Sequence, residues 1–168
     1  MKQHMTDNST TRRGLLGLAA AGSISAILFA RAGSAKPQSA FPLTKAPAEW
    51  RRVLGPERYH ILREAGTERP YSSPLNKEHR KGLFGCAGCG LPLFSSTTKF
   101  DSRTGWPSFY RALPNAIVTK SDRSLLMERT EVLCRRCGGH LGHVFDDGPQ
   151  PTGLRYCMNG LALIFRPS

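Results

Sequence analysis

The chain has 168 residues, about one domain's length, with 39% hydrophobic and 21% charged residues, a globular mixture that excludes a collagen-like or wholly disordered polypeptide. Lys and Arg number 24 against 12 Asp and Glu, a formal charge of +12, and the five cysteines are an odd count that cannot all pair within one chain. The one apolar stretch lies near the N-terminus and is interrupted by Arg31, which excludes a multi-span membrane protein.

That stretch reads as an address. Thr10-Thr11-Arg12-Arg13-Gly14-Leu15-Leu16 leads into an apolar run ending at Ala30, with small residues beyond it. A basic start, a modest apolar run and a small-residue exit make a secretory signal peptide. The paired arginines before Gly-Leu-Leu resemble the twin-arginine type of bacterial export signal. Cleavage is expected after Ala32 or Ala35, the second being preferred. The alternative is an uncleaved inner-membrane anchor facing the periplasm, but Gly14 to Ala30 is short and rich in Gly, Ala and Ser, a poor span. Residues 1–35 are therefore expected to be a cleaved signal. The twin-arginine machinery would be a transient partner and the periplasm the destination. The loss of Lys2, Arg12, Arg13, Arg31 and Asp7 would leave a chain that is still basic.

Residues 36–45, with Pro37, Ser39, Pro42 and Lys45, read as a flexible lead-in. Pro47 and Pro56 each suit the first position of a short helix, with Gly66 as the stop of the second. Residues 67–82 carry turn chemistry (Pro70, Ser72, Ser73, Pro74, Gly82). From residue 83 the pattern changes to short strands at 91–94, 116–119, 124–133 and 154–165, with Ser121-Asp122-Arg123 as a hairpin turn. Residues 46–168 thus read as one domain, a helical prelude and a β-rich body.

Cys86-Ala87-Gly88-Cys89 and Cys134-Arg135-Arg136-Cys137 are paired knuckles, each followed by glycine. Two residues between thiolates let both sulfurs reach one tetrahedral ion, so Cys86, Cys89, Cys134 and Cys137 read as a structural zinc clamp, one ion per chain. Two local disulfides or redox dithiols are the alternative that export favours. A set made of Cys134, Cys137, His140 and His143 also has ligand spacing, but it would orphan Cys86 and Cys89. The fifth cysteine, Cys157, is left as a free thiol. Arg155 lies two residues away on the same strand face, and a nearby cation favours the thiolate. His140-Leu141-Gly142-His143-Val144-Phe145-Asp146-Asp147 precedes it, and thiol beside imidazole is the pairing used in nucleophilic and redox catalysis. Trp106, between Gly105 and Pro107, is either a core anchor or the wall of an apolar pocket. Asn159-Gly160 is also a hairpin-turn signal.

Over roughly residues 46–166 the chain resembles the methionine sulfoxide reductase B family, zinc-containing enzymes that reduce the R epimer of methionine sulfoxide. The resemblance is carried by Gly105-Trp106-Pro107-Ser108-Phe109, by His140 through Pro149, by Arg155-Tyr156-Cys157-Met158-Asn159, by Thr67-Glu68-Arg69-Pro70 and Ser72-Ser73-Pro74-Leu75, and by both knuckles. It implies a mainly β fold of two antiparallel sheets with short N-terminal helices. It also implies roles. Cys157 would attack the sulfoxide sulfur and become a sulfenic acid. His143, with His140 and Asp147, would bind and protonate the departing oxygen. Arg155 would help to hold the thiolate, and Asn159 would order the site. Trp106 and Phe145 would form the substrate-binding wall, Trp106 against the S-methyl group. The implied partners are oxidised proteins carrying methionine-R-sulfoxide and a thioredoxin-like or small-thiol electron donor.

Two positions depart from the family pattern. Thr104 stands where many members carry a recycling cysteine, and Gly160 stands where a serine is expected. Competing readings are a zinc-ribbon nucleic-acid module, which the positive charge permits, and a Cys-x-x-Cys thiol–disulfide oxidoreductase. The export signal and the cluster around Cys157 oppose the first, so no nucleic-acid partner is expected. Four thiols held by zinc would oppose the second.

Overall fold

The computed structural model describes residues 41–123 and 128–168. The expected signal peptide, residues 36–40 of the lead-in and the start of the expected 124–133 strand lie outside the described residues. The helix α1 (Pro47–Glu64) is broken at Gly55, whose φ of 69° is non-helical, and restarts at Pro56. It therefore behaves as the two short helices that the prolines imply. Its left-handed cap is Ala65 (φ 53°), not Gly66. A Cβ at Gly66 would meet the ring of His60, an exposed side chain free to swing aside. No helix among the described residues is long and apolar enough to cross a membrane.

Nine strands follow among the described residues. β1 (Gly82–Cys86), β2 (Pro92–Ser95) and β9 (Leu163–Pro167) form a three-stranded sheet in the order β2-β1-β9. The second sheet takes β3 (Lys99–Phe100), β4 (Ser108–Phe109), β5 (Ile117–Asp122), β6 (Arg129–Cys134), β7 (His140–Phe145) and β8 (Arg155–Met158) in the order β3-β4-β8-β7-β6-β5. Every pairing is antiparallel. The fold is thus mainly β, with two antiparallel sheets and a helical prelude. The expected 154–165 strand is two strands, β8 and β9, separated by a single 3-10 turn at Gly160–Ala162.

The Ser121-Asp122-Arg123 turn is not where it was expected. Ser121 and Asp122 end β5, paired with Thr130 and Arg129 of β6. Asp122 is polar because it faces His143, and Ser121, on the opposite face of the strand, because it is exposed to solvent. The second half of the lead-in is not loose. Leu43 N–H donates to Arg136 C=O at 2.8 Å, and the Phe41 ring lies against Gly138, where any Cβ would collide with it.

The two sheets meet through aromatic side chains. Phe84 of β1 packs edge-on against Phe109 of β4 with centroids 4.9 Å apart, and Phe94 of β2 stacks on Phe109 at 4.4 Å. Trp50, Leu54, Ile61 and Leu62 bury the inner face of α1 in the same core. Burying rings of this size is worth roughly 1.5–3 kcal/mol each, so this contact is a principal reason the sheets stay together.

Candidate active site and metal clamp

The register of the larger sheet sets out the site. Residues directly opposite on neighbouring strands face the same way. Ser108 of β4 is opposite Cys157 of β8, Cys157 is opposite His143 of β7, and His143 is opposite Glu131 of β6. These four therefore share one face, while Val132 and Met158 point into the core. His140 and His143 are three residues apart and would point to opposite faces of a regular strand. The β6–β7 pairing slips between Val132 (opposite Gly142) and Leu133 (opposite His140), leaving Leu141 as an extra residue. That bulge turns His140 onto the face of His143, and the two rings meet edge-on at 5.4 Å.

A cavity of about 120 Å³ opens on this face, lined among others by Cys157, His143, Trp106, Phe145, Asn159 and Thr67. Each histidine has its own carboxylate. His143 Nε2 lies 2.8 Å from Asp122 Oδ2, which also accepts from Arg129 at 2.7 Å. His140 Nδ1 lies 2.7 Å from Glu131 Oε1. His140 is buried, its Nε2 has no hydrogen-bond partner among the described residues, and burial pushes its pKa below the ordinary value. Asp147 is directed elsewhere than expected. Its carboxylate accepts two bonds of 2.8 Å from Arg155, which lowers its pKa, and the Arg155 guanidinium lies 4.3 Å from the Phe145 ring.

The Cys157 sulfur is 3.8 Å from Thr104 Oγ1, within a hydroxyl group that joins Thr104, Ser102 and Ser108 at 2.7–2.8 Å. Burial pushes the Cys157 thiol up from its ordinary value, outweighing the downward pull of Thr104, Arg155 and Ser108. Arg155 acts in the expected direction, but desolvation wins in the resting protein. Asn159 is not the left-handed residue of a tight hairpin: with φ −62° and ψ 127° it is extended and precedes the 3-10 turn Gly160–Ala162. Trp106 donates from Nε1 to Glu68 C=O at 3.1 Å while lining the cavity.

Sequence reasoning missed Asp122, Arg129, Glu131, Thr67 and Glu68. In sequence Asp122 reads as a turn residue. The alternation of Arg129 and Glu131 along β6 was the one available sign that this strand has a polar face.

The four remaining cysteines converge. Cys86 ends β1 and Cys134 ends β6, and each knuckle closes by an N–H to C=O bond from its fifth residue to its first, Gly90 to Cys86 at 2.7 Å and Gly138 to Cys134 at 2.8 Å. Both closing glycines have positive φ, 73° and 65°, which only glycine adopts without strain. All four sulfurs lie within 4.8 Å of one another, with Cys86 and Cys137 3.7 Å apart and Cys89 and Cys134 3.5 Å apart. Thiolates at about 2.3 Å from a tetrahedral zinc would stand roughly 3.8 Å apart. The set therefore fits a metal ion, none of its members forms a disulfide, and neither histidine belongs to it. Hydrogen bonding among the thiols splits the set: Cys89 is pushed down, chiefly through Cys134, and Cys134 down through Cys137, while Cys86 and Cys137 are pushed up, chiefly through Cys134.

A SelR domain profile matches residues 54–167. The chain is 54% identical over 126 residues to a peptide methionine sulfoxide reductase MsrB of Agrobacterium fabrum, covering 74% of this chain and 93% of the relative. It is 56% identical over 123 residues to the protein of that name from Methanosarcina barkeri (73% and 87%), and 56% identical over 124 residues to that of Thiobacillus denitrificans (73% and 94%).

Proposed function

Because the chain belongs to the methionine sulfoxide reductase B family, we propose that it reduces the R epimer of methionine sulfoxide in proteins, with Cys157 as the nucleophile. It is an oxidoreductase acting on methionine sulfoxide. The observation that carries the finer reading is one small cavity in which the lone thiol outside the clamp meets His143, Trp106, Phe145 and Asn159.

In this reading the Cys157 thiolate attacks the sulfoxide sulfur, forming an S–S bond, and the S–O bond breaks as His143, held by Asp122, gives the oxygen a proton. The hydroxide so released attacks the Cys157 sulfur and breaks the S–S bond, whose electron pair leaves on methionine; Cys157 is left as a sulfenic acid, oxidised by the two electrons the sulfoxide gains. Trp106 and Phe145 hold the S-methyl end. His140, braced by Glu131, packs beside His143. Asp147 contributes by holding Arg155, not by touching the oxygen. Thr104 is no thiol, so an external thiol must attack the sulfenic acid, releasing water, and a second thiol then frees Cys157 from the mixed disulfide. A dithiol serves both steps.

Cys86, Cys89, Cys134 and Cys137 would hold zinc, which when bound crosslinks the fold and, with four thiolates, leaves no open position for substrate. Incubating the purified chain with dithiothreitol and each sulfoxide epimer tests the assignment. Turnover of the R epimer and not the S epimer is expected, and the reverse preference overturns it.

Residues 1–35 carry the proposal on location, a cleaved twin-arginine signal that takes the domain at 46–168 to the periplasm, where it would repair exported proteins. Replacing Arg12 and Arg13 by lysine should leave uncleaved precursor in the cytoplasm. Unchanged export of that variant, or residue 1 at the N-terminus of exported protein, would contradict it.

A further inference from the structure

The Thr67-Glu68-Arg69-Pro70 segment follows α1 with no regular structure of its own, yet Glu68 is only 7% exposed. Its side chain accepts two backbone N–H groups, Gly160 on Oε1 at 2.5 Å and Leu161 on Oε2 at 2.9 Å. Its own N–H donates to Asn159 Oδ1 at 3.0 Å, and its C=O accepts from Trp106 Nε1 at 3.1 Å. Trp106 and Asn159 both line the cavity that holds Cys157. They belong to segments that are not neighbours in sequence, and Glu68 bonds to both.

Two features make this a specific brace and not general packing. Two converging N–H donors suit a carboxylate, which only accepts; an amide could accept one and would set its own NH₂ against the other. The turn behind Asn159 also sits flush on the segment that carries Glu68. A Cβ at Gly160 would collide with the Ser73 side chain and come within 3.1 Å of Glu68 Oε1. Glycine at 160 thus lets the turn reach the carboxylate.

We propose that Glu68 is a positioning residue for sulfoxide reduction, fixing Trp106 and Asn159 at their working distance from Cys157 through the 159–161 turn. The inference rests on the reading of this cavity as the reductase site. Glu68 touches neither the substrate nor the reacting sulfur; it acts by holding the wall against which the substrate is placed.

The test uses the full chain with zinc bound, in a Trp50→Phe background, so that Trp106 is the one fluorescent indole. Glu68→Gln is expected to keep the parent's circular dichroism, metal content and Cys157 alkylation rate. It should raise KM for the R sulfoxide about tenfold, with a smaller fall in kcat, as lost buried bonds loosen the wall. Trp106 should become more open to acrylamide quenching. Gly160→Ala, which pushes the turn away from Ser73 and Glu68 while leaving the carboxylate itself in place, should give the same signature, and adding Ser73→Gly, which removes the larger of the two clashes, should bring KM most of the way back to the parent's. Parental KM and quenching in Glu68→Gln, even with a lower Tm, would reduce Glu68 to a stabilising residue and overturn the proposal. Should Glu68→Gln not fold, the Gly160→Ala result decides alone: an unchanged KM overturns the brace. If the parent reduces no sulfoxide, the catalytic reading fails, and the quenching still reports whether Glu68 holds Trp106.

Discussion

Cys157→Ser is expected to lose sulfoxide reduction by on the order of 10⁴-fold or more, as removal of an essential nucleophile does, while keeping its fold and its metal. A serine hydroxyl ionises far above working pH and is a poor nucleophile toward sulfur. The substitution is nearly isosteric, and Cys157 lies outside the four-cysteine set, so neither β8 nor the clamp should suffer. One equivalent of R sulfoxide without reductant should leave a dimedone-reactive sulfenic acid on Cys157 in the parent and none in the variant. Before substrate arrives, alkylation of Cys157 should climb with pH beyond the usual thiol range, because burial disfavours the charged sulfur. Full activity in Cys157→Ser would sink the assignment. A turnover disulfide between Cys157 and a clamp cysteine, with zinc released, would overturn the sulfenic acid route.

Cys134→Ser should be the most damaging single change to stability. Structural zinc contributes on the order of 10 kcal/mol in small metallo-domains, against a typical net stability of about 5–15 kcal/mol. Cys134 ends β6 in one sheet and shares the site with Cys86, which ends β1 in the other. Loss of one ligand should therefore release the ion and unfold the domain. Metal analysis and thermal melting by circular dichroism check this, and a variant that keeps one zinc and the parental Tm would refute the clamp. Chelation of the parent should give the same collapse.

The parts of this molecule legible in sequence are those whose chemistry is local. Each Cys-x-x-Cys knuckle reports its own turn, Pro47 and Pro56 mark two helix starts on either side of the Gly55 break, and Cys157 stands out by exclusion from the knuckles. The histidines were visible as a cluster, but the bulge at Leu141 that turns both to one face is a property of strand pairing. Asp122 and Glu131 escaped for the same reason, since each serves a histidine on another strand. Asp147 was visible, yet its partner is Arg155 and not a histidine. Glu68 was embedded in what reads as a turn, and its importance depends on the 159–161 segment about ninety residues away.

Mass action extends the meaning of the two joined knuckles. A pair of thiolates from one knuckle cannot complete a tetrahedral shell, so the tight site exists only once residues 86–89 and 134–137 have met, which happens only in the folded chain. With zinc as the ion, folding and metal capture are one equilibrium: above the dissociation constant, each tenfold rise in free zinc adds about 1.4 kcal/mol to stability. The folded fraction would then be set by the zinc activity of the compartment in which the chain folds, and a chain made under zinc starvation would be unfolded however intact its Cys157 site is in sequence.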